Sequence, residues 1–209
     1  MNHYKTEQEE FWAGRFGDEY TERNNEQEGR AISSNVALFA KIASASGNKW
    51  STVLEFGANR GLNLRAIQAI CPQAKLTAVE INDTAAKHLQ EITSDVHVAS
   101  ILDFVPSQTY DFVLIKGVLI HINPDALPLV YEKLSQAAHR HVCICEYYNP
   151  TPVEVPYRGH AGKLFKRDFA GEFMAKFPEF RLVDYGFVYH NDPLFPQDDC
   201  TWFLMEKPG

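Results

Sequence analysis

The sequence predicts an α/β protein built on a seven-stranded, mostly parallel sheet. From residue 50 onward, strand-like segments alternate with helix-like segments, and this alternation indicates parallel strands with helices on both faces. The last two strand-like segments are separated only by residues 191–200, which suits a hairpin and therefore one antiparallel strand. At 209 residues the chain is long enough for one well-buried domain and short for two.

The strand and helix signals follow one another in a regular order. The first strand, 52–56, reads TVLEF and is nearly all apolar, as expected for a strand covered on both faces. Asn82 or Asp83 could cap the second helix, and Pro124 suits the first turn of the third. The strands that follow are predicted over 75–81, 96–100, 110–118 and 141–148, and the helices over 61–70, 82–92, 124–140 and 166–178.

Two further strands, 180–190 and 201–207, form the closing hairpin, and the region before residue 50 contains no strand signal. Helix-like text occupies 6–16 and 29–45, so we expect a helical lid or flank over 1–49, ahead of the main domain at 50–209. A three-layer sheet of this kind is equally compatible with a monomer and a homodimer.

Composition excludes several classes of partner. The formal net charge is −7, which disfavours nucleic acid and anionic membrane surfaces. The first ten residues contain no apolar run typical of a signal peptide, and the longest apolar stretch carries Lys116 and His121 and is too short to span a bilayer. We therefore expect a soluble, cytoplasmic protein.

The four cysteines do not predict a metal site. Cys143 and Cys145 alternate with apolar residues, so both should point to one face of a strand. Cys71 and Cys200 stand alone, and no second Cys or His pair follows at zinc-site spacing. The cysteines are best interpreted as small buried hydrophobic residues in a reducing compartment.

A glycine turn joins the first strand to the first helix of the main domain, in the run LEFGANRG. Such a turn lets the backbone approach a ligand closely and aims free N–H groups at negative charge. A dinucleotide site favours G-x-G-x-x-G, but Asn59 stands at the middle glycine position and Leu62 at the third. Asn tolerates a positive φ angle, so the turn itself should survive.

The same run resembles the first motif of class I S-adenosylmethionine (SAM)-dependent methyltransferases, an acidic residue followed by a glycine loop. The resemblance extends over residues 50–205 and implies the Rossmann-like fold of that class, with SAM as cofactor. Glu80, at the end of the second strand, would accept the ribose hydroxyls. Residues 99–104 resemble the third motif, which edges the adenine, and 110–125 the fourth. The implied cofactor-binding residues are Glu55, Gly57, Asn59, Gly61, Glu80, Ile81, Ser100, Ile101, Leu102 and Lys116.

A narrower resemblance lies outside this core. Residues 6–24 and 156–173 resemble the family of pseudaminic acid biosynthesis-associated methylases. That resemblance implies a sugar, or a nucleotide-linked amino sugar, of nonulosonic acid biosynthesis as acceptor.

The segment near 147–168 is predicted to face the acceptor. It concentrates tyrosines, whose flat faces suit sugar or base stacking, and positive charge, which is unusual in an acidic chain. Arg158 could hold a carboxylate or phosphate in bidentate fashion. The predicted acceptor-binding residues are Tyr20, Tyr147, Tyr148, Asn149, Tyr157, Arg158 and Lys163.

Methyl transfer needs a general base only if the acceptor is a hydroxyl, because a neutral amine attacks unaided. Glu146 at the end of the fifth strand, His121 after the fourth and His160 are the candidates. Trp12 and Phe16, at helical spacing, are expected to be packing residues.

Two other functions stay open at this point. One is a nicotinamide-dependent oxidoreductase. The strand–turn–helix and the acidic Glu80 favour this function, whereas Asn59 in place of a glycine argues against it. The other is a methyltransferase-like protein that binds cofactor or partner without turnover. A protein or nucleic-acid methyltransferase is disfavoured by the acidic composition and by the lack of an appended recognition domain.

Overall fold

A computed structural model describes residues 4–23, 28–47 and 50–208, so the predictions for 1–3, 24–27, 48–49 and 209 lie outside the described residues. Seven strands form one sheet in the order β3-β2-β1-β4-β5-β9-β8, and β6 and β7 form a separate two-stranded sheet. The strands are β1 (Thr52–Phe56), β2 (Lys75–Glu80), β3 (Asp95–Val98), β4 (Tyr110–Lys116), β5 (Ala138–Glu146), β6 (Val153–Glu154), β7 (Phe165–Lys166), β8 (Arg181–Phe187) and β9 (Thr201–Glu206).

Seven α-helices accompany these strands in the described part of the chain. They are α1 (Glu7–Ala13), α2 (Arg15–Arg23), α3 (Glu28–Ser46), α4 (Leu62–Ile70), α5 (Asp83–Leu89), α6 (Leu127–Ala137) and α7 (Phe169–Lys176). Two short 3₁₀ turns, Leu119–His121 and Pro124–Ala126, lie between β4 and α6. None of the described helices is both long and apolar enough to cross a membrane.

The sheet confirms the predicted architecture. β1 pairs in parallel with β2 and β4, β2 with β3, and β4 with β5. β9 runs antiparallel to both β5 and β8, as the short closing loop predicts. Because the parallel strands all end at the same edge of the sheet, the residues that follow β1, β2, β3 and β4 meet there.

Two hydrophobic clusters cover the two faces of the sheet, and alternate strand residues supply them. Leu54 and Val113 belong to the cluster under α6 and α7, whereas Val53 and Leu114 belong to the cluster under α3 and α4. Cys143 and Cys145 point to the second face with the other two cysteines, and all four are buried free thiols. The cysteine side chains are therefore core residues, as predicted.

The predicted boundary between the third helix of the main domain and the fifth strand is wrong. Residues 138–140 open β5 instead of extending the helix, because Ala138 already has extended angles (φ −81°, ψ 122°) and pairs with Tyr110. The run 137–141 contains no glycine or proline to mark that change. The antiparallel pair β6–β7, in the segment after β5, was also not predicted from the sequence.

The glycine turn between β1 and α4 requires left-handed backbone at three positions. Gly57, Asn59 and Gly61 have φ angles of 69°, 46° and 77°. Asn59 thus adopts the conformation expected of it. Gly61 is also crowded, because an added Cβ would overlap Ile92 Cδ1 and lie 2.8 Å from Leu89 Cδ2.

We predict that Gly61→Ala lowers the free energy of unfolding by about 2–4 kcal/mol, the sum of a left-handed alanine and local overpacking. Gly47→Ala is the matched control, since Gly47 has a φ of 65° and open space around its Cα. That variant should lose only the backbone part, about 1 kcal/mol. Urea unfolding of both variants measures the difference. Equal losses would contradict the prediction, because they would show that overlap with Leu89 and Ile92 does not lower the free energy of unfolding.

Candidate functional site

A cleft of about 600 Å³ opens at the edge of the sheet where the parallel strands end. The turns after β1, β2, β3 and β4 form its floor, and the segment after β5 and the loop before β9 form one wall. The helices α1 and α2, called here the N-terminal helix pair, lie over it with Trp12 and Tyr20 in the lining. Clefts of this volume are typical of sites for small molecules and cofactors.

The carboxylate of Glu80 lies at the centre of the floor. Its Oε2 accepts the amide N–H of Asn59 at 2.7 Å, and its Oε1 accepts the amide N–H of Asn82 at 2.9 Å. Burial raises the pKa of Glu80, and the amide bonds from these residues oppose that shift. Each carboxylate oxygen can accept a further hydrogen bond, so the side chain could also hold donors of a ligand in the cleft.

The glycine turn is fastened to the neighbouring strand. The amide N–H groups of Gly57 and Ala58 both donate to the carbonyl oxygen of Val79, at 2.8 and 3.2 Å. The turn and the end of β2 therefore move as one unit. Within the turn, the left-handed Asn59 bonds directly to Glu80, the last residue of β2.

Ser100, Ile101 and Leu102 line the cleft beside the end of β3. The Ser100 hydroxyl accepts the amide N–H of Leu102 at 3.0 Å and donates to the buried Glu9 carboxylate of α1. This segment therefore touches both the floor of the cleft and the N-terminal helix pair.

Lys116 places a positive charge in the wall of the cleft. Burial alone lowers the pKa of this amine, but the surrounding Cys145, Cys200, Asp198 and Glu55 outweigh burial and raise it. The ammonium is therefore retained at neutral pH, where it can face a negative group of a ligand.

The structure brings most of the predicted residues to this cleft. Those that line it are Gly57, Asn59, Glu80, Ile81, Ser100, Ile101, Leu102, Lys116, His121, Tyr20, Tyr147, Tyr157 and Arg158. Those that do not line it are Glu55, Gly61, Glu146, His160, Tyr148, Asn149 and Lys163.

Two buried carboxylates lie behind the cleft instead of in its lining. Glu55 accepts the side-chain amide of Asn63 at 2.6 Å, and burial raises the pKa of Glu55 to about 8. Glu146 Oε1 accepts the amide N–H groups of Val118 and Leu119 at 2.9 and 2.8 Å, and burial raises its pKa to about 8 as well. Glu146 thus supports the turn after β4 from below.

His121 is held in one tautomer. Its Nδ1 lies 2.6 Å from the carbonyl oxygen of Lys163, and a carbonyl only accepts, so Nδ1 carries the proton. Burial lowers the pKa of His121 to about 4, against the smaller opposite effect of that carbonyl. The side chain is therefore a neutral imidazole at pH 7, with Nε2 as its acceptor nitrogen.

Aromatic rings enclose the part of the cleft near His121. The Trp12 ring lies 4.6 Å from the His121 ring and 5.3 Å from that of Tyr20, and Tyr157 lies 4.8 Å from His121. Trp12 was expected to be a packing residue, whereas the structure gives it both packing contacts and a place in the lining. Tyr147 completes this wall.

The other residues predicted for the acceptor or for catalysis lie outside the cleft. His160 packs against Phe11 and Phe16, at 5.1 and 5.7 Å between ring centroids. Lys163 is 3.4 Å from Glu7. Tyr148 is exposed, whereas Asn149 is half-buried and donates to the carbonyl oxygen of Thr151.

Polar contacts hold the N-terminal helix pair over the cleft. Asn82 Nδ2 donates to Asp18 Oδ1 at 3.0 Å, and this bond is the largest cause of the lowered pKa of Asp18. Gln8 Nε2 donates to the carbonyl oxygen of Gly162 at 2.9 Å. The pair is thus fastened to α5 on one side and to the segment after β5 on the other.

Sequence reasoning missed several residues of the lining. These are Trp12, Arg23, Asn35, Arg60, Gln197 and Asp198. They come from the N-terminal helices, the glycine turn and the loop before β9. Neither the helices nor that loop carries a motif with a fixed position relative to the strands, so only the fold brings them to the site.

We predict that Glu146→Gln stabilises the protein increasingly as pH rises. The folded-state pKa near 8 exceeds the unfolded value of 4.5, so folded Glu146 holds its proton longer, and wild-type stability falls between pH 4.5 and 8. Glutamine keeps an acceptor for Val118 and Leu119 but cannot ionise. The gap in free energy of unfolding should be small at pH 5 and reach about 2–4 kcal/mol at pH 9.

Urea unfolding at several pH values measures this gap, and Glu179→Gln, at an exposed loop position, is the matched control. A gap that does not change with pH would contradict a buried, proton-binding Glu146.

Comparison with known proteins yields structures but no sequence relatives. No protein-family model matches the chain, and no curated protein sequence matches it. The narrower resemblance to pseudaminic acid biosynthesis-associated methylases therefore finds no support in these comparisons.

One similar solved structure is that of 1,6-didemethyltoxoflavin-N1-methyltransferase of Burkholderia thailandensis, with 1,6-didemethyltoxoflavin and S-adenosylhomocysteine (SAH) bound. It superposes with a TM-score of 0.71 at 15% sequence identity, and the match covers 100% of this chain and 94% of that chain. Magnesium protoporphyrin IX methyltransferase of Synechocystis PCC 6803, with SAM bound, gives 0.67 at 13%, covering 100% of both chains. The N-methyltransferase NodS of Bradyrhizobium japonicum WM9 gives 0.63 at 15%, covering 89% and 99%.

These neighbours superpose over most of the chain, although their sequences are at most 15% identical to it. The chain therefore has the Rossmann-like fold of class I SAM-dependent methyltransferases, as predicted.

Proposed function

We propose that this protein is a SAM-dependent methyltransferase acting on a small polar acceptor. The observation that carries the proposal is the buried carboxylate of Glu80, which faces the cleft beside a left-handed glycine turn at the ends of β1 and β2. Its spare acceptor capacity matches a pair of hydroxyl groups, such as those of a ribose. The three structural neighbours named above are methyltransferases, and two of them contain SAM or SAH.

The residues of the cleft fit the cofactor from end to end. Glu80 and Ile81 would hold the ribose, and Ser100, Ile101 and Leu102 would edge the adenine. Gly57 lets the turn pack directly against Val118, because a Cβ there would collide with that side chain, and the amino-acid portion would lie along this turn. Lys116 supplies a cation to the same wall. Glu55 and Gly61 lie behind this surface and would shape the turn without touching the cofactor.

When bound, SAM supplies an electrophilic methyl group, so the chain's own task is to bind and orient the nucleophile. The ring wall formed by Trp12, Tyr147, Tyr157 and His121 excludes water and provides flat faces for the acceptor. His121 would accept the proton of an acceptor hydroxyl at Nε2, while the Lys163 carbonyl holds the opposite nitrogen protonated. Glu146 and His160 would not touch the acceptor. Glu146 would hold the turn after β4 in place, and His160 would pack against the N-terminal helix pair.

For the acceptor class we propose a sugar or nucleotide-linked amino sugar of nonulosonic acid biosynthesis. The aromatic wall and the tyrosines within it support a flat, polar ligand.

The experiment that tests the proposal is thermal unfolding with SAH and, separately, with NADH. A ligand at a hundred times its Kd should stabilise the fold by about 2.7 kcal/mol. A shift with SAH alone supports the proposal. A shift with NADH alone would overturn it in favour of an oxidoreductase. Methylated product from a panel of amino sugars, detected by mass spectrometry, would exclude a protein that binds without turnover.

We predict that Glu80→Ala weakens SAH binding by about 1–3 kcal/mol, because ribose hydroxyls would lose their charged acceptor. Isothermal titration calorimetry measures the change. Glu132→Ala, which removes a surface partner of Lys176 at 3.1 Å, is the matched control. Glu80→Gln separates binding from folding, since it retains one amide acceptor. Unchanged SAH affinity in folded Glu80 variants would contradict the ribose assignment.

We predict that His121→Asn lowers kcat about 10²-fold on a hydroxyl acceptor and leaves the Kd for SAH within twofold. Asparagine can still donate to the Lys163 carbonyl but offers no basic nitrogen. In the wild type, kcat/KM should hold steady from pH 8 down to about pH 5, because a folded-state pKa near 4 keeps His121 neutral there. A loss of activity centred on pH 6.5 would contradict this base.

A further inference from the structure

Two arginines that line the cleft have no carboxylate partner among the described residues. Arg23 comes from the last turn of α2, and Arg158 from the segment after β5. Both side chains are exposed at the mouth of the cleft. Other cations nearby are engaged: Lys163 lies 3.4 Å from Glu7, and Arg167 lies 2.7 Å from Glu172. In a chain of net charge −7, two unpaired guanidinium groups at one opening form a local positive site.

The backbone that presents Arg158 is unfavourable for arginine. Tyr157 and His160 exchange two hydrogen bonds, at 2.8 and 2.9 Å, which makes Arg158 and Gly159 the central residues of a two-residue hairpin turn. Their φ angles are 48° and 86°, typical of a type I′ turn. Asn or Gly is strongly preferred at the first of these positions. Strain retained at a ligand-facing residue indicates that its side chain serves a purpose other than folding.

A series of ring contacts connects the two arginines at the cleft mouth. The Arg23 Cζ atom lies 5.6 Å from the centre of the Phe16 ring, and the Arg158 Cζ atom lies 5.8 Å from that of Tyr157. Those two rings lie 6.0 Å apart. At these distances each ring attracts its guanidinium group through a cation–π contact, which uses none of the N–H donors in a hydrogen bond.

We propose that Arg158 and Arg23 form an anion subsite that binds a carboxylate or phosphate group of the acceptor. Guanidinium groups recognise both anions through paired N–H donors, and an unpaired arginine provides that fork without first breaking an ion pair. The subsite adjoins the aromatic wall, because Tyr157 belongs to that wall and the Phe16 ring lies 5.4 Å from the Trp12 ring. That the anion belongs to the methyl acceptor rests on the proposed function, whereas anion binding itself does not.

The subsite is tested with three probes titrated into the protein, once with excess SAH and once without it. UDP-N-acetylglucosamine carries phosphates, N-acetylneuraminic acid carries a carboxylate, and N-acetylglucosamine is neutral. We expect an anionic probe to bind the wild type and the neutral sugar to bind more weakly. The anionic probe that binds more tightly identifies phosphate or carboxylate as the ligand group. Arg158→Asn and Arg23→Ala should each weaken it by about 10- to 100-fold.

Arg158→Asn has a second readout that separates binding from folding. Because asparagine suits the first central position of this turn, its Tm should rise by about 2 °C while anion binding falls. Arg158→Lys should retain part of the affinity, since it keeps the charge without the fork. Arg181→Gln, which changes an exposed arginine on β8 outside the cleft lining, is the matched control.

Equal affinity for the anionic and neutral sugars, or unchanged affinity in Arg158→Asn, would overturn the subsite. A fall in Tm for Arg158→Asn would likewise overturn it, by showing that the arginine maintains the turn. SAH binding distinguishes the two proposals. If the protein binds no SAH but binds the anionic probe through Arg158, the proposed function fails and the anion subsite stands.

Discussion

One buried carboxylate determines how the carboxyl edge of this sheet is arranged. Glu80 cannot remain in the interior as an anion without donors, and the chain supplies them from two different turns, through the amides of Asn59 and Asn82. The left-handed glycine turn, the end of β2 and the start of α5 therefore converge on one pair of oxygen atoms. Val79 adds the bonds that hold the turn against its neighbouring strand.

The same convergence locates the N-terminal helix pair. Asn82, whose amide serves Glu80, uses its side chain to cap α5 and to reach Asp18 of α2. Asn59, the other donor, lies 3.4 Å from the Thr21 hydroxyl through its side-chain amide. The floor of the cleft and its cover thus share their anchoring residues. Any change that displaces Glu80 is transmitted to both, so the floor of the cleft and the N-terminal helix pair above it are mechanically connected.

Much of the fold and part of the cleft could be predicted from the sequence, because the signals for both lie in short stretches of neighbouring residues. Alternating apolar strands and amphipathic helices predict a mostly parallel sheet, and the ends of its strands indicate which residues lie at one edge. Glu80 and Asn59 could be assigned because their positions relative to a strand are fixed. Trp12, Arg23 and Asp198 could not, since they reach the cleft only through tertiary packing. The sequence places Glu146 and Glu55 at the ends of their strands. It does not reveal that their carboxyl groups point away from the cleft, toward Val118 and Leu119 in one case and Asn63 in the other.

The N-terminal helix pair contributes no residue to either hydrophobic cluster of the sheet among the residues that the structure describes. Its buried residues are Gln8, Glu9, Gly17 and Thr21. One of its bonds, from Gln8 to Gly162, joins residues 154 positions apart. Polar and ring contacts, and not the core, therefore hold the pair in place, so we expect its amides to exchange at a lower free energy than those of the central strands. Amide exchange in α1 and α2 would report how often the cleft opens, and exchange in β1 and β4 how often the whole molecule unfolds.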